Sequence, residues 1–145
     1  MKISTKGRYS LRVMLDLAMY QSDGVIALKD IAARQEISVK YLEQVVSLLN
    51  KSGMIQSVRG KEGGYRLTRR PEEYRIGDIL RAAEGSIAPV ACLEGDINTC
   101  ERQDFCITLG FWKGLQKVIN DYIDSKTLQD LIDEYESMQG NQYVI

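Results

Sequence analysis

Histidine is absent from this 145-residue chain, which also has only three cysteines, two prolines, one tryptophan and two phenylalanines. Without histidine the commonest general acid–base group is missing, and no nucleophile–base pair or phosphate-binding loop takes its place. An enzyme is therefore not expected. Long apolar runs are lacking too. The first apolar stretch, YSLRVMLDLAMY, is broken by Arg12 and Asp16, which excludes a membrane span or the core of a secretory leader. A cytoplasmic protein without membrane attachment is the expectation. Three thiols cannot all pair within one chain, and without an export signal a disulfide framework is disfavoured against metal, cluster or redox chemistry. Internal repeats and low-complexity tracts are missing as well.

What is present reads as one globular unit, or one small domain with an appendage, with 44% hydrophobic and 27% charged residues. The net charge of −1 conceals an asymmetry. Residues 1–75 carry 14 Lys/Arg against 8 Asp/Glu, whereas residues 76–145 carry 5 against 12. A basic front half joined to an acidic back half suits a polyanion-binding module attached to a part that stays off the polyanion.

Apolar residues at Leu11, Met14, Leu15 and Ala18 mark a first helix, with Asp23-Gly24 at its end. LKDIAARQE supplies a second, short helix through Leu28, Ile31 and Ala32. Ser38 can cap a third, VKYLEQVVSLLNKSG, which turns Leu42, Val45, Val46 and Leu49 inward and stops at Gly53. The period then changes: MIQSVRG and GYRLT flank the glycine-rich GKEGG and predict a β-hairpin. IGDILRAAEG predicts a fourth helix with Ile76, Ile79 and Leu80 inward. From about Cys106 to Asp124, Leu109, Trp112, Leu115, Ile119 and Tyr122 form a helical stripe. Thr127 and Asp130 resemble a capping pair for a last helix, LQDLIDEYESM.

Three helices followed by a hairpin is the element order of a winged helix-turn-helix, so the fold class expected is mainly α with a small β-hairpin. The third helix would be the reading helix, with Lys40, Tyr41, Glu43, Gln44 and Ser47 as candidates for its outer face. Gln44 can bond an adenine edge, Lys40 a guanine edge or a phosphate, and Glu43 can accept from a cytosine amino group. Ser38 and Tyr41 sit at the helix start, where hydroxyls and free backbone N–H groups bind phosphate. The hairpin offers Arg59, Lys61 and Arg66 beside glycines, and an arginine at a wing tip suits a narrow minor groove.

MKISTKGRYSLRVMLDLA, SVKYLEQVVSLLNKSGMIQSVRGKEGGYRL and IGDILRAAEGSIAPV resemble the bacterial winged-helix regulator family that includes IscR, NsrR and CymR, from Met1 to about Leu131. The resemblance implies a homodimeric transcriptional regulator of palindromic double-stranded promoter DNA, with a winged helix-turn-helix over residues 1–84. A cysteine loop and a long dimerisation helix would occupy residues 85–145. By position it places recognition contacts on Lys40, Glu43 and Gln44, a wing contact on Arg59, and backbone contacts on Ser38 and Tyr41. Where other members carry a small residue, position 40 is lysine.

Cluster-binding members hold a 2Fe-2S or 4Fe-4S cluster through three loop cysteines, the location of Cys92, Cys100 and Cys106; an iron–sulfur cluster, in the 2Fe-2S form, is the cofactor expected. Thiolates are its preferred ligands. The histidine that follows the last cysteine by three residues in such proteins is Leu109 here. A fourth ligand must come from oxygen, the backbone, a small molecule or a partner chain, and Glu94, Asp96, Asn98, Glu101 and Asp104 lie within reach in sequence. Zinc, a redox disulfide with one spare thiol, and a loop without a cluster are the alternatives. At the level of function the rivals are a cluster-free regulator of sulfur metabolism governed by a partner protein, a nitric-oxide or redox-responsive repressor, an electron-transfer protein and a protein-docking module.

Overall fold

The computed structural model describes residues 1–21 and 24–142, so the expected stop at Asp23 lies outside the described residues. In chain order come α1 (Thr5–Tyr20), α2 (Leu28–Gln35), α3 (Val39–Lys51), β1 (Ile55–Val58), β2 (Gly64–Leu67), α4 (Ile76–Glu84), α5 (Leu109–Ser125) and α6 (Leu128–Gln142). The mainly helical class with one antiparallel hairpin is as expected. No helix among the described residues is long and apolar enough to cross a membrane.

The helix-turn-helix follows from local chemistry. Glu36 ends α2 in the left-handed region at φ 55°, which reverses the chain within two residues. Ser38 then caps α3, its side chain accepting the Tyr41 N–H at 3.2 Å. Ile37, between these two signals, is buried and anchors the turn. Val13, Met14 and Leu17 of α1, Ile31 of α2, Leu42, Val45 and Leu49 of α3 and Ile79 of α4 are all fully buried in one cluster. Asp16 lies on that same apolar face of α1 at 1% exposure. It accepts from Arg34 Nε at 2.9 Å, Arg34 Nη2 at 2.7 Å and Gln35 Nε2 at 2.9 Å, so a bidentate ion pair locks α2 against α1.

The hairpin pairs Ile55 with Leu67 and Val58 with Gly64. A further segment reinforces it, because Ile26 and Tyr65 exchange two backbone hydrogen bonds of 2.8 Å. Glycine is required at position 64, where a Cβ would collide with the Ile26 carbonyl. Tyr74, 1% exposed, fastens the base of the hairpin. Its hydroxyl donates to Met54 O at 2.7 Å and accepts from Thr68 N at 2.9 Å and Arg69 N at 3.1 Å.

The acidic half folds back onto this body. Thr127 and Asp130 form the expected reciprocal cap, Thr127 N–H to Asp130 Oδ2 at 2.9 Å and Asp130 N–H to Thr127 Oγ1 at 3.1 Å. Ile76 N–H bonds Lys126 O at 2.8 Å and Leu128 N–H bonds Tyr74 O at 3.0 Å, stitching the starts of α4 and α6 together. Leu128 belongs to the same buried cluster as the α1–α4 residues, so one core runs across residue 84. α6 continues past Met138, the last residue expected in it, to Gln142.

Candidate nucleic-acid interface and cysteine loop

The two faces of α3 are sharply divided. Leu42, Val45, Val46 and Leu49 are buried, while Lys40, Glu43, Gln44 and Ser47 are exposed on the opposite side. Four polar side chains of differing donor and acceptor capacity thus project from a helix held rigidly from behind. Ser38 is exposed although its oxygen caps the helix, and its hydroxyl hydrogen remains available to a phosphate. Tyr41 is half-buried. Its ring meets Tyr9 edge-on at 5.5 Å, and the Arg12 guanidinium lies 5.0 Å from the Tyr9 ring, so the start of α3 rests on an aromatic–cationic stack from α1.

At the hairpin tip Arg59 and Lys61 are exposed between the strands. Gly60, at φ 122°, and the Gly63 N–H to Gly60 O bond of 3.0 Å make the tight reversal that projects them. Arg66 sits lower, on β2, where its Nε donates to Gln56 Oε1 across the hairpin at 3.1 Å. Asp16, Arg34, Gln35 and Tyr74 carry no sequence motif of a site, yet they set the positions of the helix pair and the wing. The available signal was a charge on an apolar helical face, Asp16 in step with Val13 and Leu17.

Cys92, Cys100 and Cys106 lie in the segment between α4 and α5, all half-buried and none in a disulfide. Cys92 belongs to a single 3-10 turn, Ala91–Leu93. The Cys100 N–H donates to Asn98 Oδ1 at 2.9 Å, which occupies the side-chain oxygen of one candidate fourth ligand. Cys106 Sγ lies 3.4 Å from Thr108 Oγ1, and that hydrogen bond, helped by backbone N–H groups and the nearby Arg102 charge, holds its thiol below the usual thiol range. Helix α5 begins at Leu109, three residues later than the periodicity predicts. Ile107 is 98% exposed, so no burial offsets the cost of extending a helix through β-branched Ile107 and Thr108.

The donor set fits an iron–sulfur cluster in kind, three thiols in one loop with one biased towards thiolate. The three are not gathered in this arrangement: among the described residues no three of His, Cys, Asp or Glu converge on a common point. The loop that carries them is almost wholly on the surface, with Ile87 its one buried side chain among the described residues.

Helix α5 buries no side chain fully. Its expected stripe splits between two faces. Ile119, together with Ile123, packs against the core, whereas Tyr122 is 65% exposed and aligns with Val118 and Phe111, each 66% exposed. The free apolar face therefore runs through Phe111, Leu115, Val118 and Tyr122, in steps of four, three and four residues.

A capped, outward-facing polar helix in a helix-turn-helix, flanked by a basic two-stranded wing, defines a winged-helix DNA-binding protein. Residues 3–134 match the Rrf2 family, described as iron-dependent transcriptional regulator, and the chain belongs to that family. It is a DNA-binding transcriptional regulator and not an enzyme. The regulator CymR of Bacillus subtilis is 42% identical over 131 residues, covering 90% of this chain and 89% of CymR. Protein rrf2 of Nitratidesulfovibrio vulgaris is 41% identical over 132 residues, covering 91% of this chain and 87% of that protein. Among solved structures, T. potens IscR superposes with a TM-score of 0.76 at 39% identity, covering 96% of this chain and 91% of that one.

Proposed function

We propose that this regulator acts as a homodimer whose affinity for palindromic promoter DNA responds to an iron–sulfur cluster, of the 2Fe-2S form, held by Cys92, Cys100 and Cys106. The observation that carries the reading is the division of α3: a buried apolar face fixes the helix, and the exposed Lys40, Glu43 and Gln44 are left to read base edges. Ser38 and Tyr41 set its height on the sugar–phosphate backbone. Arg59 and Lys61 follow the adjacent groove, where positive charge meets the higher negative potential of a narrow minor groove. A second copy, joined through Phe111, Leu115, Val118 and Tyr122, places two α3 helices on successive major grooves. The acidic second half keeps this dimer seam away from phosphate.

When bound, the cluster supplies an inorganic centre whose reduction potential is set by its ligands and surroundings. The three cysteines hold it as thiolates, which the Thr108 hydroxyl favours at Cys106. Residues 85–145 form the sensing and dimerising part, residues 1–84 the reading part, and the genes controlled are those of iron–sulfur biogenesis or sulfur metabolism in the cytoplasm. Anaerobic purification tests the cofactor: visible absorption with acid-labile sulfide is expected, and each Cys→Ala change should remove most of it. Zinc without sulfide would sink the cluster. Changing Arg59 to Ala should weaken binding of a selected duplex by about 1–3 kcal/mol at fixed salt. An unchanged affinity removes Arg59 from the interface.

A second reading is favoured by the unconverged thiols. A cluster-free regulator governed by a partner protein would leave the loop as it stands, and its anaerobic preparations would be colourless.

A further inference from the structure

Three polar residues of α5, Gln116, Asn120 and Asp124, recur every four positions and so form one stripe along the helix. Each is engaged. Gln116 Nε2 donates to Leu93 O at 3.1 Å, and Leu93 belongs to the 3-10 turn that contains Cys92. Asn120 Oδ1 accepts from Arg81 Nη2 at 3.0 Å. The Asp124 carboxylate takes Arg81 Nη1 at 2.8 Å and Nη2 at 2.9 Å in a bidentate pair. Arg81 stands on α4, whose Ile79 and Leu80 lie in the core with α1 and α3. A Cβ on Gly77, one turn earlier, would meet Asp124 Oδ1 and the Ile123 side chain, so α4 and α5 are in close contact at this end.

The upper end of the stripe has the opposite character. Among the described residues, the Gln116–Leu93 bond is the one hydrogen bond that ties residues 86–105 to another element. A polar cavity of about 140 Å³ between Arg81, Leu93, Gln116 and Asn120 leaves the cysteine turn room to shift.

We propose that Gln116, Asn120 and Arg81 are positioning residues of a relay: they carry the state of the Cys92 turn along one face of α5 to α4, and through the shared core to the reading helix. The relay rests on the DNA-reading function above. It does not require that the ligand of the loop be a cluster. Coupling between two sites is reciprocal, so DNA bound at α3 must alter the Cys92 turn as much as the turn alters DNA binding.

The test uses the reduced, cluster-free, full-length protein and a duplex that this protein itself enriches from a random-sequence pool. The alkylation rate of Cys92 by N-ethylmaleimide is followed by peptide mass spectrometry, with and without saturating duplex. In the unaltered chain the duplex should change the Cys92 rate about fivefold or more, the lower end of ordinary coupling between sites. In Gln116→Leu the change should fall below about twofold, a factor at which the coupling of linked sites is negligible. Duplex affinity in the reduced form should shift by no more than the coupling factor itself, since no hydrogen bond among the described residues joins Gln116 to α3 or the wing. Asn120→Ala breaks the next link, is judged by the same readout, and stands in if the first variant fails to fold. Failure to enrich any duplex sinks the DNA-reading function and the relay with it. Enrichment with a Cys92 rate indifferent to DNA sinks the relay alone. An equal response in the unaltered chain and both variants shows that the signal bypasses the stripe, which also overturns it.

Discussion

Replacing Tyr74 with Phe removes one oxygen atom from the interior and tests how the wing is held. The hydroxyl serves three backbone groups at once: it donates to Met54 O, just before β1, and accepts the N–H groups of Thr68 and Arg69, just after β2. The losses are unequal. Met54 is buried, at 8% exposure, and the other hydrogen-bond partner of its carbonyl among the described residues, Thr68 Oγ1, lies at 3.5 Å and already donates to Gly53 O at 2.9 Å. That carbonyl therefore bears most of the cost of an unsatisfied buried acceptor, about 1–2 kcal/mol. Thr68 and Arg69 are exposed residues whose N–H groups can recruit water, so each loses only about 0.5 kcal/mol. The sum is about 2–3 kcal/mol.

For a chain of 145 residues, a loss of this size lowers the thermal midpoint by roughly 6–10 °C. Circular dichroism melts at one fixed protein concentration measure it, since an oligomer's midpoint moves with concentration. Tyr135→Phe is the internal control, because Tyr135 is 48% exposed and its change should stay within about 0.5 kcal/mol. The reasoning is falsified if Tyr74→Phe melts with the control, which would mean that the three backbone groups find water as easily as Tyr135 does.

The two faces of α5 can be separated by charge. Val118→Asp should give a folded monomer in sedimentation, whereas Ile119→Asp, placed against the core, should lower stability by several kcal/mol. Thr108→Val removes the hydroxyl that holds the Cys106 thiol low, so the midpoint of its iodoacetamide reactivity against pH should move upward; no movement would assign the effect elsewhere. Arg81 holds the Asp124 carboxyl below the ordinary range. The resulting stability is present above the unfolded carboxylate value of about 3.9 and is lost as pH falls through the lower folded value, so Asp124→Asn should be less stable at neutral pH and show a flatter acid limb.

The helix-turn-helix was legible because its signals are local. Ser38 precedes an apolar set with one clear face, and the Thr127–Asp130 pair is a capping box readable from spacing alone. The hairpin followed from the change of period around its glycines. Helix α5 departs from its sequence pattern for a physical reason. It is apolar on two faces, and periodicity alone does not say which face meets its own domain; the position of α4 decides that Ile119 turns inward while Val118 stays out. Asp16 read as a break in an apolar run because its partners, Arg34 and Gln35, lie on another helix. Ile26 contributes a single bridged residue to the sheet, too short a strand to show any alternation. The cysteines were close in sequence, which sets an upper limit on their separation but does not make them converge.

The form of the cysteine loop suits the sensing role proposed for it. A segment that takes up and releases a ligand has to open at low cost, and segments with few buried contacts and exposed backbone are those that do. Residues 94–105 fit that description: most are exposed, and among the described residues their hydrogen bonds stay within the loop. Cys92 and Cys106 flank this stretch, one in the turn tied to Gln116 and the other at the threshold of α5. Bringing the three thiols together therefore requires movement of the segment that carries Cys100 relative to the Cys92 turn and the start of α5. A ligand shifts an equilibrium only through differential affinity for its states. The loop alone could adopt many states without consequence for DNA. In the proposed relay it acquires consequence because the one hydrogen bond that ties it to another element, among the described residues, lies on the same helical stripe that grips α4 through Arg81.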